Sequence, residues 1–203
     1  MAEFKTICVG MFEVNCYLVQ AEPGKRLYII DPGDDADQVV NAAKDFDYDE
    51  AVVLLTHAHV DHIRGTGEVC EQLGVKYVLL HQNDHAYYYS PNNQLLPYLP
   101  AAENLPECTD EIPDPDFEII HTPGHTPGCV CYRFGEDIFC GDTIFASSIG
   151  RTDLPGGDSR LILKSIKSEL MSLPENLKLH PGHGPATTIG NEKKHNPYIN
   201  QEF

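Results

Sequence analysis

Along the first 80 residues, short runs dense in β-branched and aromatic side chains alternate with polar or turn-forming breaks. FKTICV (4–9), VNCYLVQ (14–20) and RLYIID (26–31) predict an opening meander of strands that DPGDD ends. Residues 35–46, DADQVVNAAKDF, set Val39, Val40, Ala43 and Phe46 on one helical face behind acidic residues, the charge a helix start favours. AVVLL (51–55) is apolar throughout and predicts a strand covered on both faces. Ile63 to Leu73 predicts another helix, stopped by Gly74, and KYVLL (76–80) returns to strand character. The result is a βαβ rhythm.

Between 86 and 115 the period is lost among prolines, which predicts a long loop with at most a helical turn. Strand signals resume with FEIIH (117–121), CVCYRF (129–134) and DIFCG (137–141). In DSRLILKSIKSELMSL (158–173), Ile162, Ile166 and Leu170 recur at helical spacing behind an Asp158/Ser159 cap. YIIDPG and DIFCGD each end a strand with glycine and an acid, which suggests a duplicated β-layer.

Composition narrows the class. A length of 203 residues with 41% hydrophobic and 22% charged positions suits one globular domain. With 31 acidic against 14 basic residues the formal charge is −17, a field that repels nucleic acid and anionic membrane surfaces, so neither is expected as a partner. Seven cysteines show no CxxC spacing, and most read as reduced core residues rather than a disulfide framework or zinc ribbon. Neither a secretory leader nor an apolar run near the ~20 residues of a bilayer span stands out, so a cytoplasmic address is expected.

The chemistry concentrates at residues 57–62, where THAHVDH follows the apolar strand and gives H-x-H-x-D-H from His57, His59, Asp61 and His62. Imidazole and carboxylate suit zinc, iron or manganese. If the strand stays extended as it runs out, its period of two turns His57 and His59 to the same side to grip one ion. Asp61 and His62, past a bend, would then address a second. No cysteine lies near this cluster, as a closed structural zinc site would want. Other strand exits carry similar groups beside glycine: His121 and His125 in HTPGHTPG, Asp142 in FCGDT, His180 and His183 in LHPGHG.

From YIIDPG to GHGPATTIG these motifs, His57-x-His59-x-Asp61-His62 followed by His125, Asp142 and His183, resemble the metallo-β-lactamase-fold hydrolases. The resemblance implies an α/β fold, a four-layer αββα sandwich, formed by residues 1–203 as a single domain without an added C-terminal helical domain. It implies two divalent metal ions, zinc first, with iron or manganese as alternatives. His57, His59 and His125 would hold the first, Asp61, His62 and His183 the second, and Asp142 would bridge them. A metal-bridging hydroxide would be the nucleophile, with Asp61 and Asp142 as its catalytic companions.

GRTDLPGGD (150–158) and HPGHGPATTIG (180–190) look like the short glyoxalase II-like branch, which hydrolyses small acyl thioesters such as S-lactoylglutathione. A small-molecule thioester is therefore the expected partner, and the oligomeric state is open. GRTD is shared with the persulfide dioxygenase branch, which holds one iron, and lactone or other ester hydrolysis also belongs to this fold. Asp31 is expected to bond loop backbone near the metals. His121 and His180, close in the chain to the ligands, are candidates to support them, while His81, His85 and His195 read as surface or packing groups. Arg151 is expected in a buried ion pair with Asp153 or a strand-end carboxylate, and Lys193 and Lys194 on a solvated terminal helix.

Overall fold

Three of the predicted strands form as read: β1 (Glu3–Val9), β2 (Val14–Gln20) and β3 (Arg26–Ile30) run antiparallel in sequence order. From β3 the sheet changes character, because β4 (Glu50–Leu54) and β5 (Tyr77–Leu79) join it in parallel, giving the order β1-β2-β3-β4-β5. Parallel neighbours need crossover connections. Helix α1 (Ala36–Ala43) supplies the first, α2 (Val60–Ile63) and α3 (Thr66–Leu73) the second. The computed structural model describes residues 2–113 and 115–200, and the chain divides into two units, Met1–Asp116 and Phe117–Phe203.

Strand β4 has Ala51, Val52, Val53 and Leu54 all buried, as its unbroken apolar run requires. Ala51 and Val53 pack with Leu27 and Ile29 of β3 and with Val39, Ala43, Ile63 and Val69 of the helices. Burial of each large aliphatic side chain contributes about 1.5–3 kcal/mol. This core anchors the strand whose exit carries the histidines.

The helix expected from Ile63 to Leu73 is two helices, broken at Gly65. A Cβ there would lie 2.7 Å from the Pro32 carbonyl oxygen, so the loop after β3 and this turn press together as bare backbone. Gly74 ends α3 with φ 65°, the left-handed stop its position predicts. In the proline-rich stretch, α4 (Gln82–Tyr88) is a seven-residue helix capped by the His81 ring, which accepts from Asn83 N. The irregular chain beyond it is tied to β5 through Thr109, which bonds Val78 and Leu80.

In the second unit, β6 (Glu118–His121), β7 (Val130–Phe134) and β8 (Asp137–Gly141) form another antiparallel meander, and β11 (Lys178–Pro181) adds to β8 in parallel. Meander followed by a parallel neighbour is also the plan of the first unit, with β8 in the place of β3. The connection from β8 to β11 passes through the hairpin β9 (Ile144–Phe145) and β10 (Ser148–Ile149), then through α5 (Ser159–Ser165). Asp158 caps α5, accepting from Arg160 N and Leu161 N. Rather than running straight to residue 173, the helix widens into a π turn at Ile166–Leu170, closed by Met171 N bonding Ile166 O. That register keeps Ile162, Ile166 and Leu170 together in the core.

Strand β12 (Thr187–Thr188) and helix α6 (Ile189–His195) close the unit. Both are tied to Glu192, a buried carboxylate that accepts from Thr187 Oγ1, Asn191 Nδ2, Asn196 Nδ2 and Ser147 N. Burial alone would raise its pKa, yet these four donors win and hold it below the ordinary glutamate value. Among the described residues every cysteine is a free thiol, and no helix is long and apolar enough to cross a membrane.

Candidate metal centre

In the first unit the backbone leaves β4 still extended. His59 has φ −67° and ψ 144° and then starts the single turn of α2, which carries Asp61 and His62. The His57 and His59 rings lie 4.8 Å apart, centroid to centroid, and the His57 and His62 rings 4.2 Å apart. Asp61 Oδ2 stands 3.8 Å from His62 Nε2. The four predicted ligands of this unit are therefore gathered in one place, with all three histidines buried.

Asp31 determines which way two of these rings present their nitrogens. Its Oδ2 faces His62 Nδ1 at 3.0 Å and Thr56 Oγ1 at 2.6 Å, while its Oδ1 accepts from Thr56 N at 2.8 Å. A carboxylate only accepts, so His62 Nδ1 carries its proton and the Thr56 hydroxyl donates. The hydroxyl has then spent its one proton and accepts from His57 Nδ1, 3.0 Å away. One buried carboxylate thus leaves a bare lone pair on Nε2 of both His57 and His62. Asp31 was expected near the ligands; the threonine relay was not legible.

The turn is also held by α4 and the proline-rich segment that follows it. Asp84 accepts from Ala58 N at 3.1 Å, and Asn93 Nδ2 donates to Ala58 O, so the residue between the two histidines is held at both its N–H and its C=O. Tyr87 sets its ring edge-on against His59 at 5.7 Å. Burial, then the nearby Asp61 and Asp84 carboxylates, push the Tyr87 phenol up. Asp84, in the first turn of α4, and Asn93, in the aperiodic stretch beyond, belong to no motif, so no sequence signal marks them.

Close backbone approach is the remaining device here. A Cβ on Gly33 would fall 1.8 Å from Asp61 O, so DPGD must keep its glycine for the ligand turn to seat.

In the second unit His125, Asp142 and His183 come together from three strand exits. His125 Nε2 and His183 Nε2 each lie 3.6 Å from the same oxygen, Asp142 Oδ2. That is too long for a hydrogen bond. It is near the roughly 3.4 Å that separates two ligand atoms sharing one tetrahedral ion at metal–ligand distances of about 2.0–2.1 Å. His125 Nδ1 faces Arg151 O at 2.7 Å, and a carbonyl accepts only, so Nε2 again presents a lone pair. Gly150 makes this possible: its Cβ would lie 1.9 Å from Asp142 O and 3.3 Å from His125 Cβ.

The donor set of both units is imidazole nitrogen and carboxylate oxygen, a fit for borderline divalent metals. Cys140, two residues before Asp142, is not a competing ligand: burial pushes its thiol well up, and Sγ bonds Ile144 O.

The remaining histidines have partners of their own. His121 Nε2 faces Pro127 O on an exposed turn. His180 faces Asp137 Oδ1 at 2.9 Å and stacks on Phe139, and burial pulls its pKa down against the opposing Asp137 charge. His81, His85 and His195 make local bonds, to Asn83, Leu80 and Asn191. Arg151 and Asp153 do pair, through two contacts of 2.7 Å, but at the surface rather than buried, because both stand outside the turn that Gly150 presses inward.

Comparison with known proteins adds to this picture. The profile of the metallo-beta-lactamase superfamily matches residues 9–183. The chain is 34% identical over 212 aligned residues to the hydroxyacylglutathione hydrolase GloC of Haemophilus influenzae, with 97% of each covered. The crystal structure of BLEG-1 B3 metallo-beta-lactamase matches with a TM-score of 0.84 and 33% identity, over 98% of this chain and 100% of that one. TTHA1623, solved in a di-iron-bound form, matches with a TM-score of 0.83 and 33% identity over 96% and 99%.

Proposed function

The chain belongs to the metallo-β-lactamase superfamily, with its α/β fold, and from that premise we propose that it is a dinuclear metallohydrolase of small acyl thioesters. In this reading His57, His59 and His125 hold one ion, Asp61, His62 and His183 the other, and Asp142 both. Bound divalent ions would lower the pKa of water to furnish a nucleophile near neutral pH and polarise the acyl oxygen.

The chain's own residues do the rest. Asp31 and the Arg151 carbonyl keep ring protons off the nitrogens that face inward, so the histidines act as ligands rather than acids. Asp61, beside His62, would orient the attacking water and accept its proton. Asp142, whose one carboxylate oxygen faces two imidazoles, supplies the negative charge that balances a second cation.

The observation that carries this reading is the fixed protonation pattern: a lone pair is presented by His57 and His62 in one unit and His125 in the other, which plain packing does not require. The likeness to a hydroxyacylglutathione hydrolase along nearly the whole chain supports a thioester as the substrate class. The test is an assay of free thiol released from S-lactoyl and related small thioesters, run beside oxygen uptake with a persulfide. Thiol release without oxygen consumption is the expected result. Oxygen uptake with persulfide and inert thioesters would replace the proposal with an iron dioxygenase, and lactone cleavage alone with a lactonase.

A further inference from the structure

Three consecutive tyrosines, Tyr87, Tyr88 and Tyr89, stand where helix α4 ends, and their hydroxyls meet different fates. Tyr88 is buried and donates to Pro106 O at 3.3 Å. Tyr89 accepts from Cys108 N at 3.0 Å. Tyr87 is half-buried, and its hydroxyl makes no hydrogen bond among the described residues.

The Tyr87 ring meets a proposed metal ligand directly, its centroid 5.7 Å from that of His59 with the planes 82° apart. Asp84, three residues earlier on the same helical face, accepts from Ala58 N, so the bond that clamps the ligand turn also fixes where Tyr87 stands. Burial, and then the nearby Asp61 and Asp84 carboxylates, oppose ionisation of the phenol. With an ordinary pKa of about 10 it is in any case a donor near neutral pH. For packing alone the ring suffices, since a phenylalanine offers the same edge to His59. The hydroxyl is the part that packing does not account for.

We propose that Tyr87 is a further catalytic residue, whose hydroxyl donates a hydrogen bond to the acyl oxygen of the substrate as negative charge develops there. This rests on the thioester reading above and adds a group to it. Water adds to the acyl carbon and gives a proton to Asp61, while the π pair of the C=O moves onto oxygen. Tyr87 donates to that oxygen and keeps its own proton. When the pair returns, the C–S bond breaks, its electrons leave with sulfur, and the proton held by Asp61 passes to the thiolate. A hydrogen bond to an oxyanion is roughly twice as strong as one to a neutral carbonyl, so the contact favours the transition state over the bound substrate.

The experiment uses the full-length, metal-loaded protein and two inert probes with the same arms: a phosphinate, whose anionic oxygen stands where the acyl oxygen goes, and a thioether with no oxygen there. Calorimetry on wild type and Tyr87→Phe measures binding, a chromogenic chelator measures metal affinity, and steady-state kinetics separate kcat from KM. Tyr87→Phe keeps the ring edge against His59, so the fold is not put at risk. The expected result is that this variant binds the phosphinate about 10–100-fold more weakly, binds thioether and metal as wild type does, and loses a similar factor in kcat with KM little changed. Unchanged phosphinate affinity overturns the proposal. So does a parallel loss of metal affinity, which would place the effect on the His59 ring instead. Binding is read without turnover. Thioester cleavage with no Tyr87-dependent phosphinate binding removes the donor assignment alone, and Tyr87-dependent binding without cleavage of any thioester removes only the hydrolase reading.

Discussion

In the first unit the predicted ligands occupy residues 57–62 and leave a single strand, β4, whereas in the second His125, Asp142 and His183 come from the exits of β6, β8 and β11. The contiguous cluster is short of room for its own support, so orientation arrives from elsewhere: Asp31 after β3, Asp84 from α4 and Asn93 from the proline-rich segment. The dispersed set has main chain between its members. It uses that backbone, through the Arg151 carbonyl on His125 and the Gly150 approach to Asp142. A side-chain carboxylate sets the ring protons in one half, and a main-chain carbonyl sets that of His125 in the other.

The largest expected effect treats both halves alike. His59→Ala and Asp142→Ala should each lower kcat/KM for a thioester by at least about 1,000-fold, roughly 4 kcal/mol of transition-state stabilisation, while circular dichroism shows a retained fold. Wild-type turnover in either variant would remove that residue from the site.

The comparison is broken more selectively at the orienting groups. Asp31→Ala should weaken metal binding about 10–100-fold, because His62 Nδ1 and the Thr56 relay lose their acceptor. No side-chain substitution can remove the corresponding acceptor of His125, which is main chain, so Arg151→Ala should leave metal affinity near wild type. Equal losses in both variants, in competition against a chromogenic chelator, would contradict the division between the halves.

Smaller again is Glu192→Gln, which removes charge from a carboxylate taking four hydrogen bonds and should cost the second unit about 1–3 kcal/mol by denaturant unfolding. The sign with pH follows from its lowered folded value. Unfolded chains bind the proton first as pH drops, so the contribution is present above the ordinary glutamate pKa of about 4.3 and fades as pH falls through the lower folded one. The wild type should lose stability on acidification more steeply than Glu192→Gln. Least of all, Asp153→Ala should leave the melting temperature unchanged, since its pairing with Arg151 lies in solvent.

Much of this was legible in the sequence where chemistry and period coincide. THAHVDH stands beside an apolar run, so both the strand and its ligands could be read together, and Gly74 stopped its helix as its position said. Single residues in separate loops, such as Asp142 and His183, were legible through their glycine neighbours and the resemblance those motifs carry. What stayed hidden depended on distance in the chain. Thr56 as a proton relay, and Asp84 and Asn93 as clamps on Ala58, have no local pattern, because their partners are set by tertiary packing. The break at Gly65 and the π turn after Ser165 have the same origin: neighbouring backbone and core side chains override helical propensity.

The most direct test of the account is to strip the protein of metal and follow thiol release from a small acyl thioester as zinc, iron or manganese is added back in fractions of an equivalent per chain. The account predicts no turnover in the stripped protein and a rise that levels off at two ions per chain. A plateau at one ion, or full thiol release without metal, would contradict it.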